Sequence, residues 1–187
     1  MHRMVKLSSI QSLTEDSIQG ARNEVDELLR HCQQAWEASE QCKEFKKLLA
    51  QQTGLRRVRK IVGIGLGALS GTGIETSAAN SAHQHALLQT LQEFLMKSQT
   101  QAHIPCYVQD PAYAIVDKAA LHDTGFTVLE DPSGFVEVDD NSAVVSFYPD
   151  IPVKEIVFDL AKPALIIWRT VRDRQFETSS SDEQPPV

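Results

Sequence analysis

The chain is short of the residues that build disulfide frameworks, metal sites and membrane spans. It has three cysteines, Cys32, Cys42 and Cys106, an odd number with no C-x-x-C pair. That argues against a disulfide scaffold or a zinc site and implies free thiols in a reducing compartment. No apolar run approaches the ~20 residues that a membrane helix needs, and the N-terminus lacks a secretory apolar core. Arg3 and Lys6 with no acid before Glu15 make a weak organelle-targeting feature; a cytoplasmic protein with nuclear access is the expectation. No G-x-S-x-G, H-E-x-x-H or G-x-x-x-x-G-K-[ST] is present, so three common catalytic signatures are missing. Aromatics are sparse, at 6%, and the formal net charge is -7, which opposes direct nucleic-acid or anionic-membrane binding.

What is present is a core and an uneven charge. The 42% apolar content is enough for a folded domain. Residues 1–60 hold 11 basic and 8 acidic residues, whereas residues 105–160 hold 2 basic and 11 acidic. The run Arg56, Arg57, Arg59, Lys60 reads best as a solvated entrance to a strand, with a phosphate or an acidic partner as the alternative.

The chain is organised around Lys60 to Ser70. Ile61 to Ile64 is apolar on both faces, as in an interior strand of a parallel sheet. Gly63, Gly65 and Gly67 then remove Cβ atoms where the chain must turn or approach a ligand. Before this strand, residues 14–56 read as a helical arm with apolar residues at three- and four-residue spacings. Ser12 and Glu15 fit a capping box. The pattern admits one long helix or two that break near Gln34 to Ser39. It also admits packing on the following domain or, less well, a coiled-coil arm.

After the strand, residues 68–78 are expected as a loop and Ala79 to Lys97 as a helix. Strands are expected at Ile104 to Gln109, Phe126 to Leu129, Ala143 to Tyr148 and Ala164 to Trp168. Helices are expected at Ala112 to Asp123 and Val153 to Leu160, and Phe135 to Val138 as a short strand or extended loop. Right-handed crossovers then predict a Rossmann-like, doubly wound α/β fold. Its mainly parallel sheet of about five strands has the order 3-2-1-4-5, with the N-terminal arm appended. The domain would span residues 57–171. Residues 1–13 are expected to be a flexible N-terminus and 172–187 a disordered tail. Gly65, Gly67, Asp110 and Pro149 fall at one rim of the sheet.

Gly63-x-Gly65-x-x-Ala68 satisfies a dinucleotide pattern, and Gly63-x-Gly65-x-Gly67 resembles the first motif of S-adenosylmethionine-dependent methyltransferases. Asp110 stands where such proteins place a carboxylate on ribose hydroxyls. Against a cofactor, the acid comes 43 positions after Gly67, and the expected helix starts late. A purely structural turn is at least as well supported. His83 and His85, two apart on a helix, point in different directions and do not make a metal pair. His103 near Cys106 is a minor candidate for haem; a buried strand cysteine is the ordinary explanation. The serines before Asp182 and Glu183 resemble an acid-directed kinase site, as Ser-rich tails often do.

Several stretches together resemble the sensitivity-to-red-light-reduced (SRR-like) domain. They are Val62 to Gly67, Gln84 to Leu88, Tyr107 to Pro111, Leu121 with Gly125, and Phe147-Tyr148-Pro149. Trp36-Glu37-x-Ser39-x-x-Cys42 and Lys162 to Trp168 resemble fungal members in particular. Many members carry His-Cys after the proline that ends the fourth strand; here those positions are Asp150 and Ile151, so no role of that pair transfers. The resemblance implies a regulatory protein with protein partners rather than a defined enzyme. Relatives are linked to light signalling and the circadian clock in plants, to clock function and haem biosynthesis in animals, and to microtubule function in yeast. It brings no established catalytic residues. Its motif positions at the rim are Gly65, Leu66, Gly67, Gln84, Asp110, Pro111 and Pro149. With Gly63, these are the candidate ligand contacts. S-adenosylmethionine or a nucleotide is the alternative ligand class, with a methyltransferase-like enzyme as the alternative function.

Overall fold

The computed structural model describes residues 15–52, 54–71, 75–147 and 151–169. Six helices and five strands alternate along them. The arm is two helices, α1 (Glu15–Ala38) and α2 (Glu40–Ala50). Ser39 breaks it: its backbone is extended, at φ -79° and ψ 153°, and its Oγ accepts the Cys42 N–H at 3.1 Å. A hydroxyl in this position satisfies a helix-start N–H that has no partner within the helix. The proposed capping box at Ser12 lies outside the described residues, as does the tail beyond 169.

The sheet is β1 (Lys60–Ile64), β2 (Cys106–Gln109), β3 (Thr127–Val128), β4 (Ser142–Ser146) and β5 (Leu165–Trp168). Its order is β3-β2-β1-β4-β5, all parallel, as the crossover argument predicts. Ile61 pairs with Cys106 on one side and Ala143 on the other. The crossovers are α3 (Glu75–Ser98), α4 (Ile115–Asp123), the short α5 (Ser133–Val136) and α6 (Val153–Leu160).

Alternation along β1 and β4 divides the core in two. Ile61, Ala143 and Val145 pack with α1, α3 and α4. Val62, Ile64 and Val144 pack with Phe135, Val153 and Val157 from α5 and α6. Ile61 and Val62 are fully buried, each stabilising the fold by roughly 1.5–3 kcal/mol relative to exposure. The arm is an extra layer of the first core: α1 lies on α3 and α4, burying Val25, Leu29 and Cys32. The Trp36 indole donates to Thr90 Oγ1 at 2.9 Å.

Two local expectations change. Phe135 and Val136, expected in a short strand or extended loop, lie instead in the helical turn Ser133–Val136: Phe135 N–H donates to Pro132 O and Glu137 N–H to Ser133 O, and the Gln109 side chain accepts the Gly134 N–H. The third helix starts at Glu75, earlier than Ala79. Ser77, Asn80 and Ser81 are polar helix positions that face a cleft, not part of a loop.

Candidate functional site

The strand order reverses between β1 and β4, and the crevice beyond the C-terminal ends of the strands at such a point is where doubly wound sheets bind ligands. A cleft of about 570 Å³ lies there. Six of the eight candidate contacts line it: Gly65, Leu66, Gly67, Gln84, Asp110 and Pro111. Gly63 lies inside β1 instead. A Cβ on it would stand 2.7 Å from Leu66 Cδ1 and 2.8 Å from Leu88 Cδ2, so its missing side chain lets α3 close onto the sheet. Pro149 lies outside the described residues.

The glycine loop is already bonded. Gly65 N–H donates to Gln109 O at 2.9 Å, and Gly67 N–H donates to Asp110 Oδ2 at 2.6 Å. Asp110 Oδ1 accepts the Ala112 N–H at 2.8 Å. One carboxylate therefore ties the loop after β1 to the loop after β2. Gly67 has φ +83°, and a Cβ there would stand 2.3 Å from Ser81 Oγ; only glycine lets α3 approach this closely. A phosphate charge about 5 Å from Asp110 would be opposed by about 3 kcal/mol at an effective dielectric near 20.

The opposite wall is one face of α3. Ser77, Asn80, Ser81 and Gln84 recur at helical spacing and all line the cleft. Gln84 Oε1 is buried and has no hydrogen-bond partner. Gln109 closes the third side. Its Nε2 donates to Asp131 Oδ1 at 2.7 Å and its Oε1 accepts the Gly134 N–H, holding the turn after β3 against the end of β2. Ser77, Asn80, Ser81, Gln109 and Asp131 also line the cleft but are not among the candidate contacts, although Gln109 lies in the Tyr107 to Pro111 stretch. The polar stripe on α3 was the readable signal for the first three; the Gln109 contacts join segments far apart in sequence.

Beneath the cleft, His85 and Tyr113 form a buried pair. His85 Nδ1 donates to Ser81 O at 2.7 Å, which leaves Nε2 to accept the Tyr113 hydroxyl at 2.8 Å. Desolvation lowers the His85 pKa to about 4 and raises Tyr113 well above its ordinary value, so both are neutral at pH 7. His83 points elsewhere and donates from Nδ1 to Ala79 O. His103 is exposed while Cys106 is buried in the core, so the two do not share a ligand pocket. Among the described residues no group of three His, Cys, Asp or Glu side chains could hold a metal ion.

Two members of the basic run, Arg56 and Lys60, find acids within the chain. Lys60 Nζ lies 3.2 Å from Glu137 and 3.3 Å from Asp139. Arg56 reaches the Lys162 carbonyl and lies 3.9 Å from Asp140. None of these residues lines the cleft. No described helix is long and apolar enough to cross a membrane.

Comparison with known proteins adds one match. No curated protein and no solved structure is significantly similar. A protein-family model described as the SRR1 domain matches residues 29–184. That stretch runs from within α1 past β5 and takes in every wall of the cleft described above, so the chain belongs to the SRR1 domain family.

Proposed function

We propose that this chain is a non-catalytic regulatory protein that holds a small ligand in the cleft at the C-terminal edge of its sheet and acts through protein partners. The observation that carries the reading is the use of the cleft carboxylates. Asp110 is bonded to Gly67 and Ala112, and Asp131 to Gln109. Both shape the walls, and neither is poised as a base beside a nucleophile. The regulatory roles linked to SRR-like relatives support the same assignment, with action in the cytoplasm and nucleus.

Affinity capture from cells with the wild-type chain and a cleft-filling variant of the exposed wall residue Asn80, Asn80→Leu, tests this. A reproducible partner whose recovery changes in the variant is expected. Turnover of a small molecule in vitro, with no partner recovered, would sink the proposal.

The second reading is an S-adenosylmethionine- or nucleotide-dependent enzyme such as a methyltransferase. It is favoured by Gly65 and Gly67 lying beside Asp110 at the switch point. Product formation from labelled S-adenosylmethionine would establish it.

A further inference from the structure

The walls of the cleft are chemically one-sided. The described lining includes two carboxylates, Asp110 and Asp131, and no Lys, Arg or His. Two backbone donors of the glycine loop, the N–H groups of Gly65 and Gly67, are spent on Gln109 O and Asp110 Oδ2. The helix that would aim its N-terminus at an anion starts at Glu75, eight residues past Gly67. One buried acceptor, Gln84 Oε1, is left without a partner in the wall, and unpaired buried polar atoms are uncommon enough to need a reason. Among the remaining lining, Pro111 and Ile151 are exposed and offer apolar surface suited to the face of a ring. The volume of about 570 Å³ falls within the range of small-ligand pockets.

We infer that the cleft takes a phosphate-free, donor-bearing ligand of nucleoside size, neutral or cationic, and discriminates against the corresponding nucleotides. Ligand N–H or O–H groups would meet the free lone pairs of Asp110 and Asp131, and Gln84 Oε1 after a turn of its side chain, since that oxygen is closed to water here. A phosphate in the same place would face two carboxylates with no cation to answer it. This rests on the cleft being a ligand site at all, so the test must separate the two claims.

Thermal melting of the full chain with matched probes does so. Adenosine and S-adenosylmethionine form one set; AMP, ADP and NAD form the other. The expected result is a rise of about 5–10 °C with one of the phosphate-free probes at a hundred times its Kd. Each phosphate-bearing probe should bind at least tenfold more weakly.

Gln84→Leu should weaken the adenosine or S-adenosylmethionine response about tenfold while raising the melting temperature of the ligand-free protein, because it removes a buried unpaired oxygen. Asp131→Asn, whose side-chain oxygen can still accept from Gln109, should narrow the gap between adenosine and AMP. AMP, ADP or NAD binding as tightly as the phosphate-free set overturns the inference and leaves the ligand site standing. No response to any probe, or one that neither substitution changes, overturns both.

Discussion

The Asp110 carboxylate accepts the backbone N–H of Gly67 across 2.6 Å, joining the turns that follow two neighbouring strands. The residue that looked most like a ribose ligand is thus also a structural tie. Asp110→Ala should destabilise the protein by about 1–3 kcal/mol, because the partly buried Gly67 N–H loses its acceptor. Asp110→Asn, which keeps one acceptor oxygen, should cost about 1 kcal/mol or less. Urea denaturation of the three proteins, compared at constant m-value, measures both.

Gly67 meets two constraints that can be separated. Gly67→Ala puts a Cβ 2.3 Å from Ser81 Oγ at a residue with φ +83°. A loss of about 2–3 kcal/mol is expected from clash and strain together. Adding Ser81→Ala removes the clashing oxygen and should restore about half of it, leaving the backbone term. A double-mutant cycle showing no coupling between the two sites would contradict this geometry.

His85 makes stability depend on pH in a defined window. The unfolded chain protonates this histidine near 6.5, whereas the folded chain resists until about 4. Unfolding therefore takes up a proton between those values. Stability should be full above pH 6.5 and fall by up to about 3 kcal/mol as the pH is lowered to 4. His85→Leu should flatten that slope, whatever it does to absolute stability. Tyr113→Phe should cost about 1–3 kcal/mol at pH 7, since it leaves Nε2 buried and unpaired. The Asp123 carboxyl is held below its ordinary value by Arg22, and the Asp139 carboxyl, against partial desolvation, by hydrogen bonds from the Asn141 N–H, the Ser142 hydroxyl and Lys60. Their loss belongs to more acid solution and can be told apart.

All three thiols are buried, and burial raises the pKa of Cys32 and Cys106. A thiol reagent should find no fast-reacting group in the native protein and three after denaturation. The native reaction should follow the opening equilibrium rather than reagent access. One thiol reacting at the rate of the free amino acid would show that its helix or strand opens locally.

The sheet was legible where the chain writes its constraints locally. Ile61 to Ile64, Ala143 to Val145 and Leu165 to Trp168 are apolar in succession, which marks strands with apolar side chains on both faces, fully buried in β1 and β4 and partly so in the edge strand β5. The handedness of crossovers then orders them. Val153–Leu160 has the predicted limits because Pro152 precedes it and its apolar stripe is strong. Residues 133–136 misled at Phe135 and Val136, which favour strands when considered alone. The contact that decides their conformation comes from Gln109, on another strand. Six of the eight candidate contacts converge on the cleft, since loops after adjacent parallel strands share an edge. The polar side of α3 was visible as Ser77, Asn80, Ser81 and Gln84, but small polar residues after a glycine turn read as loop without the third dimension.

The order of the strands also bears on how the chain reaches this structure. β1 is synthesised first yet sits at the centre. Its flanking partners are β2, which pairs at Cys106, and β4, which pairs with Lys60 through Ser142. Until β4 has emerged from the ribosome, one edge of Ile61 to Ile64 is bare and Val62 has no Val144 beside it. Nascent chains halted before residue 142 would carry an apolar strand edge open to other strands. The same long-range closure should make folding of the sheet slower than formation of the helices α1 and α2 that precede it.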